Sequence, residues 1–503
     1  MTRPARVPLP VFDLAGLLPH PGQPDIAERP VVPPPDDPVP PRRGWPGRNA
    51  GHAPLMPPVP VFRGSTAEVQ GLYPWLYGPG LPPAGAYVGV DCLTGGAFCC
   101  HPLEWLRRGL VTNPNILVTG IPGSGKSATI KALAVRLMAY GVKVFVLGDL
   151  KNEYAPIARA VGTEPVELGP GLPGRLNPLD AGPLGENLPS DLAALGERLA
   201  EIHRRRLILL SSLLVMRLGR ALTPTEEAAL SMAVDEASGW HGGRPGGSGA
   251  GRTRGGARAA SPTIPQVWAL LRDPPPDMAD ELRVRGVAEL REMIRPVADA
   301  LGNMVRGALS GLFDGPTTVQ PDFGAPMQSV DLSRISERGD ETVAMTLACV
   351  SSWGQAAIDE PGSVRMVIRD ELWRALRVPA LVRKTDSDLR LSRAQGTIQV
   401  LATHRLSDFE AAGDLGSATA VIAANLIASC DTRICLAQDT APLAATRDQI
   451  GLTDTECAHI ASWTGQQVGR GVWKIGRAAS LIAQTVLTPA ERQLYWTNER
   501  MAA

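Results

Sequence analysis

The sequence predicts an α/β fold with a mostly parallel sheet and an inserted all-α subdomain, on three observations. Gly120-Ile121-Pro122-Gly123-Ser124-Gly125-Lys126-Ser127 fits G-x-x-x-x-G-K-[ST]. It sits between a short apolar run, Asn115-Ile116-Leu117-Val118-Thr119, and a stretch with helical spacing at Ile130, Leu133, Ala134 and Leu137. Several later apolar runs end in polar residues, as strands of open parallel sheets do where ligands bind. Between the two halves, after Asp180, strand–helix alternation stops and helical patterning takes over.

In chain order, residues 1–60 are dense in proline (Pro33-Pro34-Pro35, Pro40-Pro41, Pro57-Pro58). They read as a disordered or polyproline-like arm, either a docking tail or a solvated one. In the β-rich segment 61–112, Tyr87-Val88-Gly89-Val90 and Ala97-Phe98-Cys99-Cys100 predict a hairpin that covers a sheet edge. The first half of the core, 113–182, holds the P-loop with its strand and helix. A second strand follows, Lys143-Val144-Phe145-Val146-Leu147, leading into Gly148-Asp149-Leu150-Lys151-Asn152-Glu153-Tyr154.

The helical insertion, 183–300, shows one apolar face at Leu192, Leu195, Leu199 and Ile202. Capping boxes stand at Thr223-Pro224-Thr225-Glu226 and Thr263-Ile264-Pro265-Gln266. Between those boxes the Gly/Arg-rich stretch 242–260 reads as a flexible surface loop in preference to a nucleic-acid contact. The second half of the core, 301–480, supplies three more strands. Val364-Arg365-Met366-Val367-Ile368 leads to Arg369-Asp370-Glu371, Thr397-Ile398-Gln399-Val400-Leu401-Ala402 to Thr403-His404-Arg405, and Thr432-Arg433-Ile434-Cys435-Leu436 to Ala437-Gln438-Asp439. A last helix, capped by Thr488-Pro489-Ala490-Glu491, lies in the tail 481–503.

The chemistry of the P-loop follows from its backbone. Gly120, Ile121, Pro122, Gly123, Ser124, Gly125, Lys126, Ser127 and Ala128 would wrap the phosphates of ATP, because glycines let N–H groups turn inward and the helix N-terminus adds positive potential. Lys126 reaches the β- and γ-phosphates and the Ser127 hydroxyl ligates Mg2+. Asp370 would hold the magnesium shell, while Glu371 would orient and polarise the attacking water. Arg369 occupies a position that is usually apolar, so the strand is expected to end one residue early. His404, at the end of the next strand, is either a sensor of the γ-phosphate or a hydrogen-bonded loop histidine. Arg383, Arg390, Arg393, Arg405 and Arg433 are candidates to complete a neighbouring subunit's site, with Arg393 and Arg433 favoured.

Composition narrows the class. At 503 residues with fifty basic and fifty acidic side chains, the formal net charge is zero, so there is no global electrostatic case for a polyanionic partner. Six of the basic residues are lysine, and the arginine, alanine, glycine and proline richness fits a GC-rich genome. The seven cysteines lack C-x-x-C spacing and are expected as reduced thiols in a cytosolic protein. None of the seven histidines pairs with cysteines or carboxylates at metal-ligand spacing, so no zinc site is expected. Met1 leads into proline-rich polar sequence with no signal-peptide pattern. The most apolar run, Leu207 to Met216, is about ten residues where a bilayer span needs about twenty, so membrane association is expected only through partners.

Six segments in this order resemble the ATPase domain of the conjugative type IV secretion ATPases, the TraC-like and VirB-type group within the HerA–FtsK class. They are Asn115 to Lys131, Gly148 to Tyr154, Leu176-Asn177-Pro178-Leu179-Asp180, Leu312-Phe313-Asp314-Gly315-Pro316-Thr317, Asp370-Glu371-Leu372-Trp373 and Leu401-Ala402-Thr403-His404-Arg405-Leu406-Ser407-Asp408. The resemblance covers about residues 85–480 and implies a RecA-like P-loop NTPase core with the all-α insertion. It further implies a homo-oligomer, expected as a hexamer, at the cytoplasmic inner face of the membrane, whose ATP hydrolysis powers substrate transfer or pilus assembly with channel proteins. Two departures stand out. The large N-terminal domain of such ATPases is expected to be missing, with the proline-rich arm in its place, so that docking to the channel would need a separate polypeptide to supply that domain, and His404 stands where glutamine is frequent. Two other classes compete: a DNA-translocating motor of the same superfamily, disfavoured by the neutral charge, and an ATP-dependent scaffold without turnover, disfavoured by Lys126 and Glu371. DNA binding is expected to be weak or indirect at most.

Overall fold

The structure, a computed structural model, describes residues 81–496 apart from 187, 242–243, 246–260, 320–321, 323, 359–362, 377–378, 411–417, 464–466 and 478. The proline-rich arm and the 242–260 stretch other than Arg244 and Pro245 lie outside the described residues. Strands in chain order are β1 (Ala86–Asp91), β2 (Ala97–Cys100), β3 (Ile116–Thr119), β4 (Lys143–Asp149) and β5 (Val166–Glu167). A separate two-stranded ladder, β6 (Trp240–His241) with β7 (Arg244–Pro245), belongs to the insertion. Then come β8 (Met327–Asp331), β9 (Arg365–Arg369), β10 (Thr397–Thr403), β11 (Thr432–Leu436), β12 (Arg470–Ile475) and β13 (Ala479–Thr485).

One sheet takes the order β2-β1-β13-β12-β11-β3-β10-β9-β4-β8-β5. From β11 to β5 every pairing is parallel. From β11 to β2 every pairing is antiparallel. The parallel strands are apolar on both faces, because helices cover both. Val144 and Val146 of β4 point to one side with Ile116, Val118, Ile368 and Val400, and there meet Ile130, Leu133 and Leu137 of the helix Lys126–Met138. Phe145 and Leu147 point to the other, against Val343 and Val350 of the helix Asp340–Ile358.

The helices Leu192–Leu218, Pro224–Ser238, Ile264–Arg272, Pro276–Glu281 and Val287–Arg306 form the insertion. Their buried residues, among them Leu213, Leu230, Val267 and Ile294, join the same apolar cluster as Phe145 and Leu147, so this subdomain shares the core of the sheet. Leu192 does not belong to the buried face: it is the first helical residue, 83% exposed, beside the N-cap Asp191 that accepts from Ala194 N at 2.9 Å. The buried face of that helix starts one to two turns later, at Leu195, Leu199 and Ile202. The Thr223–Glu226 box forms in both directions, with N···O distances of 3.3 and 2.8 Å. Among the described residues no helix is long and apolar enough to cross a membrane.

Two of the segments that carry the resemblance clasp the insertion to the sheet. Asn177, 1% exposed, donates its side-chain amide to Pro262 O (2.9 Å) and its backbone N–H to Thr317 Oγ1 (3.0 Å). Asp180 in turn accepts from Thr317 Oγ1 (3.0 Å) and Ser261 Oγ (3.1 Å).

Three expectations change. The hairpin does form, but it extends the sheet in-plane by pairing β1 with β13 instead of covering an edge. β9 does not stop before Arg369, which pairs with Leu401 in the ladder. Its guanidinium is carried within a polar cluster, bonding Asp388 at 2.6 Å and Gln399. Finally β8, β12 and β13 were not anticipated, since Met327-Gln328-Ser329-Val330-Asp331 and Arg470-Gly471-Val472-Trp473-Lys474-Ile475 carry polar residues that pairing, and not composition, makes tolerable.

Arg136, near the end of the P-loop helix, ties the antiparallel extension to the core. Its guanidinium bonds both oxygens of Glu491 (2.8 and 2.7 Å) and the carbonyls of Tyr87 (2.8 Å), Val88 (2.9 Å) and Val486 (2.6 Å). Arg136→Met would strand a carboxylate that is 13% exposed together with three carbonyls, so it is expected to cost roughly 3 kcal/mol. A shifted urea midpoint at unchanged slope is the measurement, and Arg136→Lys should recover only part because an ammonium cannot fork to both oxygens.

Candidate active site

The P-loop leaves β3 at Thr119 and enters the helix at Lys126, and local sequence dictates its path. Gly123 (φ 82) and Gly125 (φ 93) take left-handed backbone, which suits glycine. A Cβ on Gly120 would stand 2.6 Å from Ser124 Oγ, and one on Gly125 would stand 2.5 Å from Gly469 N, so backbone segments approach here more closely than any side chain permits. Ser124 O accepts from Gly469 N (2.8 Å) and Ile121 N donates to Ala437 O (3.0 Å), which seats the loop on the residues that follow β11 and precede β12. Gly125 is the N-cap and offers no side chain to the helix. The N–H groups of Gly123, Gly125, Lys126, Ser127 and Ala128 have no backbone partner among the described residues. An uncapped helix start with inward N–H groups is an anion cradle.

Parallel register sets the acidic pair beside this loop. β10 lies between β3 and β9, with Thr403 opposite Thr119 and Leu401 opposite Arg369, so Asp370, Glu371 and His404 emerge at the same edge as the P-loop. Lys126 is 6% exposed and its Nζ lies 3.3 Å from His404 Nδ1, while His404 Nε2 lies 3.4 Å from Glu371 Oε1. An ammonium can only donate, so Nδ1 accepts and Nε2–H is left to face Glu371. Lys151, just past β4, bonds the same Oε1, and Trp373 Nε1 donates to Oε2 at 2.5 Å. Glu371 itself adopts φ 53, an uncommon conformation for a residue with a side chain, as the chain turns out of β9.

The electrostatics separate the two carboxylates. Burial pushes Asp370 above the usual carboxylate range, with Lys126 opposing. Glu371 goes the other way: burial works to raise it, but hydrogen bonds from His404, Lys151 and Trp373 outweigh this and hold the carboxyl well below the ordinary range. Burial also lowers Lys126, against the attraction of Asp370 and Glu371. Asp149 at the end of β4 is pushed up to about 6 by burial, although three N–H donors, Lys151 (3.2 Å), Glu153 (3.0 Å) and Tyr154 (2.7 Å), favour its charged form.

The residues present fit Mg2+ and a nucleotide. Among the described residues Asp370 accepts from Tyr154 OH (3.2 Å) and from Glu371 N (3.0 Å), and a divalent cation would supply the countercharge its burial calls for. Ser127 follows Lys126 in the first turn of the P-loop helix, where a hydroxyl could join a metal shell.

A solved structure similar in fold is VirB4 of Thermoanaerobacter pseudethanolicus, which aligns over 82% of this chain and 98% of its own with a TM-score of 0.62 at 21% identity. The fold is that of VirB4. The bacterial conjugative coupling protein TrwB is also matched, in complex with sulphate (TM-score 0.49, 12% identity, 82% and 92% of the two chains) and with ADP and Mg2+ (0.48, 13%, 82% and 92%), but the fold assignment rests on VirB4 alone. No protein-family model and no curated protein matches the chain.

Within this VirB4 fold the sequence-predicted residues divide. Gly120 to Ala128, Asp370, Glu371 and His404 converge. Arg393 and Arg433 do not: Arg393 is exposed at the N-terminal end of β10, and Arg433 near the start of β11 donates to the carbonyls of Cys430 (2.9 Å) and Ile450 (3.1 Å), both at the edge opposite the P-loop. Of the other arginines, Arg405 follows His404 at the site's edge and is exposed. Lys151, Tyr154 and Trp373 join the site without a role that the sequence assigns. Lys151 and Tyr154 follow an apolar strand, as the polar residues at the ends of β9 and β10 do, and that pattern is the signal for them.

The two left-handed glycines separate conformation from space. Gly123→Ala has nothing within 4 Å of its new methyl and pays only the backbone term of roughly 1–2 kcal/mol. Gly125→Ala adds a collision with Gly469. Titration with a fluorescent ATP analogue should therefore show the larger loss of affinity for Gly125→Ala.

Proposed function

We propose that this chain is a Mg-ATP-hydrolysing motor of a conjugative type IV secretion system, acting as a homo-oligomer, a hexamer, at the cytoplasmic face of the membrane with channel proteins. The observation that carries the proposal is the continuous chain of contacts Lys126–His404–Glu371–Lys151, which links a phosphate cradle to an ionised carboxylate across one neighbouring strand. The VirB4 fold and the six segments that resemble secretion ATPases support the biological setting.

The chain's own groups divide the work. Uncapped N–H groups of the P-loop and Lys126 bind and orient the β- and γ-phosphates of ATP. Ser127 and Asp370 would hold Mg2+, which would supply positive charge against that developing on the phosphates. Glu371 turns one carboxylate oxygen to the attacking water. A carboxyl held far below its ordinary range is a weak base, so its main contribution is to align the water on the γ-phosphorus, and it takes the proton late, as the O–P bond forms and ADP leaves. His404, bonded to both Lys126 and Glu371, senses whether a γ-phosphate has drawn Lys126 away.

Purified protein should release phosphate from ATP in a Mg2+-dependent manner. Lys126→Ala is expected to lose both binding and turnover. Glu371→Gln should bind ATP with affinity near that of the unmodified chain while turnover falls by at least about a hundredfold. Phosphate release at an unchanged rate from Glu371→Gln would remove Glu371 from the mechanism.

A further inference from the structure

Lys151 ends the chain of contacts that carries the proposed function, and it is one of three side chains from the segment Gly148 to Tyr154 that reach the machinery from the end of β4. Lys151 bonds Glu371 Oε1, Tyr154 OH bonds Asp370 at 3.2 Å, and Glu153 pairs with Lys131 of the P-loop helix at 3.0 Å. Lys131 is 1% exposed and its ammonium also stands 5.5 Å from the centre of the Tyr154 ring. The turn itself is pinned by the Asp149 carboxylate, which accepts three of its N–H groups, with Asn152 in the left-handed region at φ 55.

We propose that Lys151 is the positioning residue for the Glu371 carboxylate, the outer arm of a brace that the β4 turn builds between the P-loop helix and the acidic pair. This inference rests on the ATPase reading and deepens it. Glu371 leaves β9 with φ 53, so the backbone there is held by what its side chain grips. Of the three grips, Trp373 is two residues away and moves with the same turn, and His404 is shared with Lys126, which must turn to the phosphate. Lys151 alone comes from an independently anchored strand end. Its side chain is 54% exposed, so the bridge contributes little to folding stability.

The charged and titratable groups around Glu371 are Lys126 from the P-loop helix, Lys151 and Glu153 with Tyr154 from the β4 turn, the neighbouring Asp370, and His404 from β10.

The test uses the full-length protein with Lys151→Met and Lys151→Arg beside the unmodified chain. For Lys151→Met, kcat should fall between roughly tenfold and a hundredfold while KM for ATP stays within about twofold, the signature of a misplaced group and not of lost binding. The thermal midpoint should be unchanged. Lys151→Arg should restore most of the rate. A kcat within about twofold of normal, a kcat that rises, or a KM increase at constant kcat would each overturn the proposal, the second by making Lys151 a restraint and the third by making it a phosphate ligand. Absence of turnover in the unmodified chain would overturn the ATPase reading and this one together. Normal turnover with an indifferent Lys151→Met overturns this one alone.

Discussion

Two adjacent carboxylates, Asp370 and Glu371, leave a strand that is buried on both faces, and the rest of the site is arranged around what it takes to keep them there. Neighbouring like charges in a poorly hydrated place repel, and each loses water that the protein must replace. The structure answers with unequal treatment. Glu371 receives donors from β4, from β10 and from its own turn, which keep it ionised. Among the described residues Asp370 receives one phenolic hydroxyl and a backbone N–H. In the proposed mechanism that asymmetry would let one carboxylate serve metal and the other serve water.

Everything in this arrangement depends on register. The groups that meet come from the ends of β3, β4, β9 and β10, and they coincide because Thr403 stands opposite Thr119, Leu401 opposite Arg369 and Ile368 opposite Val146. A slip of one residue in any of these pairings would send Glu371 or His404 to the opposite face of the sheet. The helices on both faces resist such a slip by burying alternate residues of each strand. On one face, the polar cluster of Arg369, Asp388, Gln399 and Lys384 adds a directional lock: Arg369 holds Asp388 at 2.6 Å and Lys384 holds Gln355 at 2.7 Å, tying the last residue of β9 to two helices immediately before the acidic pair.

The antiparallel extension is part of the same construction. Gly469, at the entry to β12, holds Ser124 of the P-loop by a backbone bond, Thr485 of β13 meets Thr129 of the following helix at 3.2 Å, and Arg136 two turns later gathers β1, the end of β13 and Glu491. The P-loop is therefore clamped between a parallel sheet that delivers the acidic residues and an antiparallel one that limits how far the loop can move.

The sequence by itself determined the parallel core, the helical insertion, the cradle from Gly120 to Ala128 and the pairing of Asp370 with Glu371, because each is written in local signals: apolar runs, capping boxes such as Thr223–Glu226, and a glycine spacing that only a phosphate loop requires. Tertiary structure decided what local signals cannot carry. β8, β12 and β13 hold polar residues whose place in the sheet is visible only once their partners are known. Arg369, whose charge suggests that β9 ends one residue earlier, is kept in the ladder because Asp388 and Gln399 are brought to it from other elements. Arg393 and Arg433, close to their strands in sequence, lie at the edge away from the phosphates, since a position before a parallel strand is by geometry the opposite edge from a position after one. Lys151 reached Glu371 across 220 residues of chain, and no spacing in a sequence specifies a contact that depends on two strands being separate neighbours in one sheet.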